Sequence, residues 1–238
     1  MMLPKEHGTW LMFFLPYLLG VFLSEPNWLH VPLLIGWFFI FLASTPFLNI
    51  FRNSKSKKTM QPWLLGYGLI AIIFLTPIVW LYPALLFVGI FFLPLLTVNM
   101  YYIKRKNERN LLNNLSGILT FSLGGVAAFM IGNGGWSNEV FLIFLWVILY
   151  FMGSSFYVKS MIRERKNKKF KKMSHVYHSF LLFIPLLLAV PWMSLAYLPG
   201  ILKDWFTSRA TPVKPIILGM VELGNGVLFF AISRVILA

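Results

Sequence analysis

Apolar runs of about 20 residues recur along this chain, broken only by short polar segments, and that spacing limits what it can fold into. A helix needs about 20 apolar residues to cross a hydrocarbon layer about 30 Å thick, at about 1.5 Å of rise per residue. The runs predict spans near 8–24, 31–51, 63–82, 83–101, 111–131, 138–159, 175–191 and 215–237, with a shorter one near 192–206. Leu, Phe and Ile dominate them, and no stretch alternates as the strands of a membrane barrel do. The expectation is an all-α, polytopic membrane helical bundle of about nine spans, forming a single integral membrane domain over residues 1–238. Composition agrees: 58% of the residues are hydrophobic and 12% charged, where a soluble domain has about 45–50% and about 25%. At this length, no soluble catalytic domain is expected beside the spans. Leu23-Ser24-Glu25-Pro26 lacks the small residues of a signal-peptide cleavage site, so the first span is expected to stay as a helix.

The basic residues predict the orientation. Lys and Arg near span ends are retained on the cytoplasmic side. Lys5 precedes the first span, and basic clusters follow the second, fourth, sixth and eighth. All of the 21 Lys and Arg except Arg234 then fall on one side, with the N-terminus inside, and the segments 25–30 and 132–139 carry none. If the short eighth segment did not cross, Lys203, Arg209 and Lys214 would move outside and break the pattern. The net charge of +14 is spread over these flanking segments, where it also attracts anionic headgroups. It is not gathered on a polar module, so nucleic-acid binding is not expected. With no cysteine, disulfides, thiolate metal sites and thiol nucleophiles are excluded, and no cofactor is implied.

Polar residues in or beside spans are costly and usually face the bundle interior or a cavity. Asn49, Arg52 and Asn53 share a helix face at the end of the second span, and Ser155, Lys159 and Arg163 share one at the end of the sixth. If they converge, Arg52, Lys159 and Arg163 form an anion site, since Arg binds phosphate or carboxylate bidentately. The alternative is cations snorkelling to headgroups. Glu6 and His7, before Gly8, are candidates for a base or ligand, or simply open a helix. Lys104 and Arg105 follow a tyrosine pair, with Asn113 nearby, and Glu108 is expected to neutralise Lys104. Glu222 and Asn225 share a face of the last span, and Glu222 needs protonation or a partner there. His175 and His178 share a face, but no acidic residue is expected beside them, so no metal site is assigned.

Pro4-Lys5-Glu6-His7-Gly8-Thr9-Trp10, Asn107-Glu108-Arg109 and the segment from Tyr157-Val158-Lys159-Ser160 to Arg163-Glu164-Arg165 resemble the YwiC-like family of bacterial membrane proteins. The resemblance implies a multi-pass protein of the bacterial cytoplasmic membrane. More distantly, the layout looks like the UbiA-type intramembrane prenyltransferases, with nine spans, an inside N-terminus and polar motifs ending the second and sixth spans. Those motifs carry Asp residues that hold Mg²⁺ against a prenyl diphosphate. Here the matching places hold Asn49, Arg52, Asn53 and Lys55, then Lys159, Arg163, Glu164 and Arg165. Mg²⁺ wants carboxylate oxygens, so metal-dependent prenyl transfer is not expected.

The first reading is therefore a UbiA-like bundle whose cytoplasmic basic cavity binds an anionic or isoprenoid-type lipid, with membrane lipids as its partners. Arg52, Lys159 and Arg163 would hold the head, and Glu6, His7 and Tyr157 are the candidates for any acid–base step. A small transporter or permease using Glu222, and a non-catalytic membrane factor, are the alternatives. Enzymatic turnover and oligomeric state stay open on the residues alone.

Overall fold

The computed structural model describes residues 7–237 and is helical throughout, with no strand among the described residues. The helices are α1 (His7–Phe22), α2 (His30–Arg52), α3 (Lys57–Leu81), α4 (Leu85–Lys104), α5 (Leu111–Gly132), α6 (Glu139–Met161), α7 (Lys168–Leu187), α8 (Met193–Phe206) and α9 (Pro215–Leu237), with a 3₁₀ turn at Ser54–Ser56. Each expected span coincides with one helix. Six of them (α2, α3, α4, α5, α6 and α9) are long and apolar enough to cross a membrane. In α4 only 6% of the most apolar stretch is buried; Phe87, Ile90 and Phe91 stand exposed, as do Leu65, Leu69 and Ile72 of α3. Water would not tolerate such a surface, whereas lipid does. The chain is a multi-pass membrane protein.

Two helix starts differ from expectation. α7 begins at Lys168, seven residues before the expected 175, and ends at Leu187. The Asn167 side chain accepts a hydrogen bond from the Phe170 amide and caps it, and lysines propagate a helix well. α3 likewise starts at Lys57 instead of 63. In both, hydropathy marked the apolar stretch while the helix began in the lysines before it, with a side-chain cap at α7 and none at α3.

The chain divides into two compact units, Met1–Phe144 and Leu145–Ala238. In unit 1, α2 packs along α3, α1 along α5, and α4 against α5. α1 and α5 run in the same sense, since Gly20 faces Gly125 and Ser24 faces Gly132. Their approach requires glycine: a Cβ on Gly20 would lie 2.1 Å from the Gly125 carbonyl oxygen, and one on Gly125 would lie 2.4 Å from that of Pro16. One end of the unit is closed by the buried His30. Its Nδ1 accepts from the Asn27 amide at 3.1 Å, its Nε2 lies 3.0 Å from the Ala128 carbonyl oxygen, and its own carbonyl accepts from the Tyr17 hydroxyl at 2.5 Å.

Unit 2 holds α7, α8, α9 and most of α6 as an up-and-down bundle. Tyr150 stacks on Phe229 and hydrogen-bonds Asn225, while Ser154 meets Glu222 farther along, so α6 and α9 are antiparallel. The Ser194 hydroxyl donates to the Leu182 carbonyl and Asp204 meets Ser174, so α7 and α8 are antiparallel too. At about 21 Å, α8 is short, but it returns the chain to the end at which α7 began. The C-terminal ends of α6 and α8 and the N-terminal ends of α7 and α9 therefore share one end of the unit.

Candidate functional site

The sequence candidates of unit 1 gather around Glu108. Arg52 holds that carboxylate with both arms of its fork, Nε to Oε1 at 2.9 Å and Nη2 to Oε2, and donates from Nη1 to Asn49 Oδ1 at 2.7 Å. Asn113 Nδ2 donates to the Glu108 carbonyl at 2.6 Å. The expected pairing of Glu108 with Lys104 is corrected: fork geometry from another helix fits the carboxylate better than an ammonium one turn back. Lys104 is exposed at the end of α4, and Arg105 lies over the Tyr101 ring at 5.3 Å. Asn53 caps α2 and accepts from the Lys55 amide. His7 is the first residue of α1, and Glu6 lies outside the described residues.

In unit 2 the candidates join residues that the sequence reading passed over. Glu222 is buried on α9 and takes two donors, Lys203 Nζ at 2.5 Å and Ser154 Oγ at 2.6 Å. This is the partner that a carboxylate inside a span requires. Asn225, one turn on, donates to Tyr150 Oη at 3.1 Å. The buried Tyr157 carries two cations over its ring, Lys203 Nζ at 4.4 Å and Arg209 Cζ at 5.4 Å, and its hydroxyl donates to Thr207 at 3.3 Å. Lys159 is half-buried on the last turn of α6, and Arg163 is exposed just beyond it.

The centre of this end is Asp204, the only aspartate in the chain and fully buried. Its Oδ1 accepts from Ser174 Oγ at 2.7 Å and from Arg209 Nη2, and its Oδ2 lies 2.5 Å from His175 Nδ1. Arg209 also donates to the Asp204 carbonyl and, from Nε and Nη2, to Ser160 Oγ at 3.3 and 3.2 Å. His178 Nδ1 bonds the Ser174 carbonyl at 2.8 Å, 3.5 Å from Asp204. The expectation that no acidic residue accompanies the two histidines is corrected. Asp204 is 29 residues from His175 but adjacent in space because α8 folds back along α7. Its place as the one acidic residue of a largely apolar helix was the signal available in the sequence. Among the described residues no group of three or more His, Cys, Asp or Glu is arranged to hold a metal.

Beside this network runs a groove of about 470 Å³ lined by Lys168, Lys171, Lys172, His175, Val176, Ser179, Phe180, Phe183 and Trp205. All but Trp205 come from α7 at steps of three and four residues, which is one helix face. Down that face come three exposed ammoniums, then His175 and Val176, then Ser179, and last Phe180 and Phe183. His175 uses Nδ1 for Asp204 and stacks on Trp205 at 4.7 Å, which leaves Nε2 as its remaining polar edge. None of the three lysines pairs with a carboxylate among the described residues. A groove of this volume is within the about 300–1,000 Å³ of ordinary ligand sites.

Residues 3–129 match the family model described as "YwiC-like protein". The chain is 42% identical over 232 residues to a Bacillus subtilis protein titled "Uncharacterized protein YwiC", covering 97% of this chain and 96% of the relative. It is 31% identical over 236 residues to an "Uncharacterized protein" of Haemophilus influenzae, covering 99% and 98%. The family model ends within α5, but both relatives extend through the helices of unit 2. No solved structure matches.

Proposed function

The chain belongs to the YwiC-like family, and from that membership and the geometry of its second unit we propose that this multi-pass membrane protein binds the anionic head of a membrane lipid at the basic end of unit 2. The observation that carries this reading is the face of α7, on which Lys168, Lys171 and Lys172 stand above Val176, Phe180 and Phe183. A lipid presents its charge and its chain in that same order. The apolar wall separates the groove from scattered flanking cations, which attract headgroups without a site. The reading places the basic ends in the cytoplasm by the charge bias of their connections, with an isoprenoid-type tail as acceptable to the Phe-lined wall as an acyl chain. Arg52 is left out of the head-binding set because it is engaged by Glu108.

The test is stabilisation by ligand. A lipid that binds the folded state raises its stability in proportion to the logarithm of saturation, by about 2.7 kcal/mol at a hundred times Kd. The purified protein in neutral detergent should gain several degrees in Tm with an anionic lipid and none with phosphatidylcholine. K168Q/K171Q/K172Q, all exposed positions, should abolish the gain and leave the unliganded Tm unchanged. An equal gain in the triple variant would overturn the assignment.

A transport reading would stand on Glu222. Its carboxylate is held by Lys203 and Ser154, which favours a fold role, and E222Q is expected to lower stability; a flux across vesicles by the wild type that disappears in E222Q would favour transport instead.

A further inference from the structure

Resting on the reading just given, we propose that the α7 groove selects a lipid whose head is a phosphomonoester or diphosphate, with two or more negative charges, over the singly charged phosphodiester lipids. Lys168, Lys171 and Lys172 lie at i, i+3 and i+4, so three exposed lysines share one face of the first two turns. Ammonium groups are point charges without the planar fork that lets arginine read geometry, so such a set discriminates by head charge. A phosphomonoester carries about −1.5 to −2 at pH 7, and a phosphodiester carries one charge.

One turn farther in, His175 adds a polar edge of defined direction. Its Nδ1 is committed to Asp204 at 2.5 Å and its ring is clamped against Trp205. Asp204 is in turn fixed by Ser174 and Arg209. The imidazole is thus held at the junction between the ammoniums and the apolar wall, with Nε2 as the polar edge left to face a terminal phosphate. A diester puts a second substituent on one of the three phosphate oxygens that a monoester leaves free. No carboxylate lines the groove to oppose the second charge; the buried Asp204 lies behind His175 and is neutralised by Arg209.

The experiment is native mass spectrometry of the full chain in detergent, titrated with dioleoyl phosphatidate and dioleoyl phosphatidylglycerol in the same sample, which share their tails and differ in the head. Phosphatidate should bind at least tenfold more tightly, and K168Q/K171Q/K172Q should bring the ratio to near one. H175Q, which keeps a polar side chain at that position, should reduce the ratio at least threefold. Equal binding of both lipids, lost in the lysine variant, would overturn the head preference and leave the lipid-binding reading intact. Binding of neither would overturn both. A preference that survives in the lysine variant would place the discrimination elsewhere. Displacement of bound phosphatidate by an equal concentration of inorganic phosphate would show that the groove reads phosphate alone and overturn the lipid assignment.

Discussion

Replacing Arg209 and replacing Arg52 have different expected costs, because the two arginines hold carboxylates under different conditions of burial. Arg209 and Asp204 are both inside unit 2, with side chains 4% and 0% exposed. Removing one partner of a buried pair leaves an uncompensated charge and costs about 3–5 kcal/mol. R209L should therefore unfold in detergent at a markedly lower Tm, followed by circular dichroism. Arg52 and Glu108 are 49% and 35% exposed, and R52A should cost about 1 kcal/mol or less. Lys203 and Glu222 belong with the buried class, so the double variant K203M/E222L should be less destabilised than K203M alone. Of these groups the sequence identified Glu222 and its need for a partner, since a carboxylate in an apolar run is conspicuous. It did not identify Lys203, which sits beside the basic connections and reads there as a topology signal. The pairing of His175 with Asp204 was missed because it depends on the return of α8, which no local pattern encodes.

Among the elements, the α1–α5 pair depends on its glycines, whereas Gly68 of α3 stands at no such contact. G20V places branched carbons where the Gly125 carbonyl stands, 2.1 Å from the built Cβ, whereas a Cβ on Gly68 of α3 meets nothing within 4 Å. G20V is expected to lower stability by several kcal/mol, as overpacking and strain do in a tight contact, and G68A to change it little; thermal denaturation of both variants checks this. The order and number of helices were legible because a membrane span announces itself by length. The α7 face was not, because its basic first turns fall outside the apolar window and were assigned to a connection. Their 3.6-residue periodicity from Lys168 to Phe183 was the signal that joins them to the helix.

For the whole molecule, the proposed orientation puts the connections rich in Lys and Arg in the cytoplasm and those without either, 25–30 and 132–139, opposite. The chain has no cysteine, so single cysteines can be introduced and labelled without background. One at Asn167, in the connection before α7, should be shielded from an impermeant maleimide in intact cells, and one at Asn133, after α5, should be labelled. The reverse pattern would invert the topology and put the groove on the outer face. The most direct test of the central claim is native mass spectrometry of the protein extracted from its own membranes, the wild type beside K168Q/K171Q/K172Q. The account predicts that the wild type retains an anionic lipid at about one per chain and that the triple variant does not. Equal amounts of the same bulk phospholipid on both proteins would contradict it and return the lysines of α7 to the role of topology signals.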